Sequence, residues 1–194
     1  PQIKMEQVEG LFEQLERLKE GDCLVLAGTI PASLPSDIYE QIMERLQGRD
    51  IHIVVDATKD LLLNVLKYHP FLIKPNNHEL GEMFHTVLQS DEEIVAYAKK
   101  LQDMGARNVL VSMAGDGAIL VTETDEVHKI GVPKGTVVNS VGAGDSMVAG
   151  FIASYFREHD YLKALKFGTA TGSATAFSEG LAPKEKVEEL LKTL

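Results

Sequence analysis

The 194-residue sequence predicts an α/β fold built on a mainly parallel central sheet. The runs "CLVLAG", "IHIVVD", "FLIKP" and "RNVLVSMA" are apolar almost throughout, as strands buried on both faces are, and do not alternate like half-exposed strands. Amphipathic helical segments separate these runs, the rhythm of a parallel sheet covered on both sides. Polar and glycine-rich residues collect directly after the runs, at the strand carboxyl ends where open parallel sheets bind their ligands.

In chain order, residues 5–18 form the first expected helix, with Met5, Val8, Leu11, Phe12, Leu15 and Leu18 at helical spacing. The strand "CLVLAG" follows, then a loop "GTIPASLPS" with two prolines, then a helix from about Ser36 carrying Ile38, Ile42, Met43 and Leu46. "IHIVVD" is the second strand. A short helix through "LLLNVLKY" leads to "FLIKP", the third. "DEEIVAYAKKLQDMG" is a helix with acidic residues in its first turn and Gly105 near its end, and "RNVLVSMA" is the fourth strand. "GAILVT", "EVHKIGV" and "GTVVNS" then follow one another across short turns, which predicts a partly antiparallel section at one sheet edge. Helices are expected over residues 146–158, 161–177 and 184–191. With no repeat, linker or low-complexity segment, residues 1–194 read as one domain.

Composition narrows the function. Asp and Glu outnumber Lys and Arg 29 to 19, and the basic residues form no stripe, so nucleic acid is not an expected partner. The single cysteine, Cys23, lies within an apolar run, which excludes an internal disulfide and reads as a core residue of a reducing compartment. No apolar run approaches the length of a membrane span, and no basic-then-apolar leader opens the sequence, so no membrane association is expected and the expected location is cytoplasmic.

The sharpest chemical signal is "NSVGAGDSMVAGF". The backbone amides of Gly142, Ala143 and Gly144 can surround a phosphoryl oxygen where a helix begins. Asp145 then stands as a general base for an acceptor hydroxyl; a tight turn with Asp145 as helix cap accounts for the same residues equally well. A dinucleotide fingerprint fits worse, because Met147 stands at its third glycine position. In "KPNNHE", Asn76 and Glu79 lie three apart at a helix start and can hold the waters of a hydrated Mg²⁺, while Lys74 can reach a nucleotide phosphate. A capping box between Asn76 and Glu79 is the structural alternative. "SMAGDG", with Ser112, Gly115, Asp116 and Gly117, can wrap a nucleotide or simply turn the chain. Thr169 and Ser173 share one face of a helix rich in small residues, which could admit a flat purine or serve close helix packing. "HELGEMFH" is not a zinc motif, and His52 in its strand reads as structural.

Taken together, "NSVGAGDSMVAGFI", "KPNNHE", "SMAGDG" and "AGTIPASLP" resemble, in this order, four motifs of the PfkB carbohydrate kinases. Within that ribokinase-like family the chain is most similar to the kinases of fructose 1-phosphate and tagatose 6-phosphate. The resemblance implies a three-layer sandwich and ATP-dependent phosphorylation of a ketose phosphate, first among them D-fructose 1-phosphate, with tagatose 6-phosphate and fructose 6-phosphate as alternatives. It implies Asp145 as general base, Gly142, Ala143 and Gly144 as anion hole, and Lys74, Asn76 and Glu79 serving phosphate and Mg²⁺. Ser112, Gly115, Asp116, Gly117, Thr169 and Ser173 would hold ATP. A nucleotide-binding module without activity is the alternative class.

Two departures accompany the resemblance. Ala114 stands where many relatives have glycine, which is expected to narrow the loop only slightly. The chain begins on Pro1 and corresponds to about the last two thirds of such a kinase, so the N-terminal strands, the β-lid and much of the sugar-reading machinery are expected to be missing. The lid is also where a homodimer of the full-length protein would form.

Overall fold

The computed structural model describes residues 3–194; Pro1, on which the expected abrupt start rests, lies outside the described residues. Six strands line up in sequence order: β1 (Cys23–Ala27), β2 (His52–Asp56), β3 (Leu72–Ile73), β4 (Asn108–Ser112), β5 (Ala118–Val121) and β6 (Val127–Ile130). β1 to β4 are parallel, and β5 and β6 return antiparallel.

The two-residue period of the strands decides which layer each side chain enters. Ile53, Val55, Ile73, Val109, Val111, Ile119 and Val121 face one layer, made of α1 (Met5–Leu15), α2 (Ile38–Leu46), α3 (Lys59–Leu63), α4 (Asn77–Met83) and α5 (Asp91–Asp103). Their neighbours Val54, Leu72, Leu110, Ala118 and Leu120 face the other, made of α6 (Ala143–Glu158) and α7 (Tyr161–Ala176). α8 (Lys184–Leu191) packs on α7 through Val187. This is the expected three-layer sandwich. Among the described residues, no helix is long and apolar enough to cross a membrane.

Local chemistry sets the element ends. Ser90 and Glu93 form a reciprocal capping box at the start of α5. The chain leaves that helix through Gly105 at φ +131°, where an added Cβ would lie 2.0 Å from the Leu66 carbonyl oxygen. β1 has no strand on its outer side among the described residues. Val25, on the face away from α1–α5, is 43% exposed there, and Cys23 is only partly buried.

Three expectations are corrected. Residues 135–140 form no strand. The N–H groups of Val138 and Asn139 both donate to the Ala176 carbonyl, at 2.8 and 3.1 Å, and Pro133 supplies no N–H for a ladder. The carbonyl at the end of α7 has displaced a sheet partner. The helix expected from residue 146 begins at Ala143, so Asp145 lies inside its first turn. The helix expected through "LLLNVLKY" divides into α3 and a 3₁₀ turn, Leu66–Tyr68.

Candidate active site

The fold brings the end of β2 (Asp56), the segment after β3 (Lys74 to Glu79), the end of β4 (Ser112) and the start of α6 to one edge of the sheet. Ser112 N–H donates to the Pro75 carbonyl at 3.1 Å, and Asn76 and Ser112 form a parallel bridge. "KPNN" therefore lies beside the end of β4.

At the start of α6, Gly142 is the N-cap, with φ +79°, a left-handed conformation natural to glycine. The Ala143 N–H is engaged by the Ser140 carbonyl at 3.2 Å, whereas those of Gly142, Gly144 and Asp145 have no acceptor among the described residues. Open amides at the positive end of a 16-residue helix make a corner with the chemistry to receive an anion. Asp145 is exposed and does not cap the helix: α6 has no side-chain cap. Its carboxylate has no hydrogen-bond or ion-pair partner among the described residues.

Lys74 connects this corner to the sheet. It is 7% exposed, its Nζ lies 3.3 Å from Asp56 Oδ1, and the same Nζ lies 3.2 Å from where a Cβ on Gly144 would sit. Gly144 leaves the room that the ammonium uses. Burial raises the Asp56 carboxyl above the usual carboxylate range; Lys74 opposes this, and the charges of Asp145 and Glu79 add to it. Among the described residues Lys74 pairs with Asp56 alone, and Asp145 and Glu79 act on Asp56 through their charge.

Asn76 and Glu79 form the capping box of α4: Glu79 N–H donates to Asn76 Oδ1 and Asn76 N–H to Glu79 Oε2, each at 2.8 Å. One carboxylate oxygen of Glu79 stays outside the box, so the box orients the acid toward the shared end of the sheet without exhausting it. Among the described residues, no three His, Cys, Asp or Glu side chains stand close enough to ligate a metal together.

The "SMAGDG" loop turns as a 3₁₀ segment, Ala114–Asp116, exposed over all three residues. Gly115 has open space around it, while Gly117 is buried at φ +96°, and a Cβ there would lie 1.9 Å from the Ile130 carbonyl oxygen. Ala114 has φ +48°, so the residue expected to narrow the loop slightly occupies a left-handed conformation that costs an L residue about 1 to 2 kcal/mol.

Thr169 and Ser173, whose helix face could admit a purine or serve close helix packing, are both buried. Thr169 is 1% and Ser173 9% exposed, and the Thr169 hydroxyl is buried without a partner. Next to them, Cβ atoms on Gly168 and Gly172 would lie 2.8 Å from the Met147 carbonyl oxygen and 2.9 Å from that of Ala143. The small residues Gly168 and Gly172 let α7 press against α6.

Residues 1–187 match the profile of the pfkB family carbohydrate kinases. The chain belongs to that family. It is 50% identical over 191 residues to the 1-phosphofructokinase of Bacillus subtilis, covering 98% of this chain and 63% of the relative. It is 34% identical to the D-tagatose-1-phosphate kinase of Bacillus licheniformis, covering 97% of this chain and 62% of the relative. A Staphylococcus aureus structure named for phosphofructokinase superposes with a TM-score of 0.93 at 41% identity, over 99% of this chain and 62% of that one. Escherichia coli phosphofructokinase-2, solved with substrates and products, does so with 0.91 at 25% identity, over 97% and 62%. The chain thus spans somewhat less than two thirds of the length of these pfkB relatives.

Within this pfkB fold, sequence reasoning assigned no role to two residues that the tertiary structure brings in. Asp56 was visible only as an acid ending an apolar strand, and its pairing with Lys74 crosses from β2 to β3. The Tyr39 hydroxyl donates to the Ala27 carbonyl at 2.8 Å, and burial together with the Asp56 charge raises its pKa. Nothing in the helical spacing of α2 distinguishes Tyr39 from an ordinary core residue.

Proposed function

We propose that the full-length protein is an ATP-dependent kinase that converts D-fructose 1-phosphate to fructose 1,6-bisphosphate. The observation that carries this reading is Asp145: a carboxylate without a partner among the described residues, one position beyond the open amide of Gly144. An exposed acid beside open amides adds only a first-turn charge to α6 and no side-chain cap, and it suits a hydroxyl brought up to a phosphorus atom.

In this reading Asp145 accepts the proton of the sugar hydroxyl as its oxygen attacks the terminal phosphorus of ATP, and ADP departs. The Gly142 and Gly144 amides receive the transferred phosphoryl group, with Ala143 between them shaping the turn. Lys74 places a point charge against the phosphates, and Ser112, Gly115, Asp116 and Gly117 border the nucleotide. Asn76 and Glu79 hold the waters of Mg²⁺, which supplies neutralisation of phosphate charge when bound. The choice of acceptor rests on the names of the relatives, 1-phosphofructokinase and D-tagatose-1-phosphate kinase.

The test is a substrate panel on the full-length protein with ATP and Mg²⁺. Fructose 1-phosphate should give the highest kcat/KM. A higher value for tagatose 1-phosphate, tagatose 6-phosphate or fructose 6-phosphate would replace the acceptor and keep the chemistry, whereas ATP binding without transfer to any of them would favour an inactive nucleotide-binding module.

A further inference from the structure

The first turn of α6 is closed by the Ser146 N–H, which donates to the Gly142 carbonyl at 2.9 Å. That turn holds the Gly144 amide and Asp145. The Asp145 side chain has no partner among the described residues, so its place is set by whatever holds the backbone on either side of it.

Both sides are held by the C-terminal end of α7. Before the turn, the Ala176 carbonyl accepts the N–H groups of Val138 and Asn139, at 2.8 and 3.1 Å. After it, the Thr175 hydroxyl donates to Ser146 Oγ at 2.9 Å and accepts from the Ala182 N–H at 3.4 Å. Thr175 is 2% and Ser146 8% exposed, so water competes little for this bond. From α8 the Lys186 ammonium holds the Phe177 carbonyl and, at 2.9 Å, the Ser178 hydroxyl, which fixes the turn that ends α7.

Packing alone does not call for the Thr175–Ser146 bond. Nearby hydroxyls turn back on their own helix: Thr171 donates to the Phe167 carbonyl at 2.7 Å, and Ser178 to that of Ala174 at 2.8 Å. Gly168 and Gly172 already bring the two helices together. A buried neutral hydrogen bond adds little net stability over an apolar pair of the same shape, but it tolerates only a narrow range of distance and angle. It therefore specifies where α6 starts more sharply than the small residues of the seam do.

On the kinase reading above, we infer that Thr175 is a positioning residue for phosphoryl transfer: through Ser146 it fixes the first turn of α6, and with it Asp145 and the Gly144 amide, against the phosphorus atom and the acceptor hydroxyl. Thr175 itself touches neither ligand and acts only through that turn.

The test is steady-state kinetics and thermal unfolding of the full-length protein and its Thr175→Ser, Ser146→Ala and Thr175→Val/Ser146→Ala variants, with Mg·ATP and fructose 1-phosphate or the acceptor that replaces it in the panel above. The double variant exchanges both hydroxyls for apolar groups of nearly the same size, so its Tm should stay within about 4 °C of wild type. Its kcat should nevertheless fall by about 5- to 50-fold while both KM values change less than about twofold, because a misplaced turn acts on the transition state and not on binding. Thr175→Ser keeps a hydroxyl and should hold kcat within about threefold of wild type. Ser146→Ala, the smallest change that removes the bond, should lower kcat as the double variant does, and it carries the test if the double variant fails to fold. Wild-type kcat without the bond, a loss confined to KM, or a loss that Thr175→Ser shares in full overturns the inference while the kinase reading stands. A wild type that transfers phosphate to no acceptor overturns the kinase reading itself, and this inference with it.

Discussion

Lys74 Nζ lies 3.3 Å from Asp56 Oδ1, joining the ends of two neighbouring parallel strands through a largely buried ion pair. Removing the lysine leaves the acid uncompensated. Lys74→Met should cost about 1 to 3 kcal/mol at pH 7, less than a fully buried pair because the Asp56 side chain keeps 20% exposure. The cost should depend on pH. A carboxyl raised in the folded state favours folding at low pH; that contribution is complete below about pH 3.8 and is lost as pH rises through the folded value. Lys74→Met raises Asp56 further, so the gap in Tm between wild type and variant should widen from pH 4 to pH 7. A gap that stays constant would mean that Asp56 does not sense the lysine.

Asp145→Asn in the full-length protein should lower kcat by about 10² to 10⁴ while ATP affinity changes little, as loss of a general base does. Stability should fall by no more than about 0.3 to 1 kcal/mol, the contribution of a first-turn acid to the helix dipole. Near wild-type turnover would remove Asp145 from the chemistry.

The Asn76–Glu79 box gives two separable outcomes. Asn76→Ala removes the acceptor of the Glu79 N–H and should cost about 1 kcal/mol in thermal unfolding. Glu79→Gln keeps an oxygen for the Asn76 N–H, so Tm should hold while the Mg²⁺ concentration for half-maximal rate rises. Early melting with unchanged Mg²⁺ dependence would leave Glu79 a purely structural role.

Two glycine substitutions should part company. Gly144→Ala sets a Cβ 3.2 Å from the Lys74 ammonium, the far end of a flexible side chain that can give way. Stability should change by less than about 1 kcal/mol, and turnover should fall by about tenfold or more as the ammonium shifts. Gly117→Ala meets the Ile130 backbone at 1.9 Å with φ +96°, and should destabilise by more than about 3 kcal/mol in a denaturant titration.

The sequence by itself determined the elements whose reasons are local. Apolar runs such as "IHIVVD" and "RNVLVSMA" had to be strands covered on both faces, the acidic first turn of "DEEIVAYAKKLQDMG" marked a helix, and "GAGD" marked the approach to α6 but not its first residue. The convergence of the strand ends on one edge follows from the parallel order that these runs imply. Tertiary structure decided what depends on atoms distant in the chain. Residues 135–140 have the valines of a strand, yet the Ala176 carbonyl, some 40 positions away, takes their N–H groups. Thr169 and Ser173 look open in a one-dimensional reading but are buried in the fold, while Gly168 and Gly172 beside them bring α7 against α6. Lys74 could be read as a phosphate ligand from its place after a strand. That it also neutralises Asp56 and fills the space left by the missing side chain of Gly144 comes from three segments meeting, because side-chain periodicity specifies which face a residue takes while only packing specifies what stands opposite it.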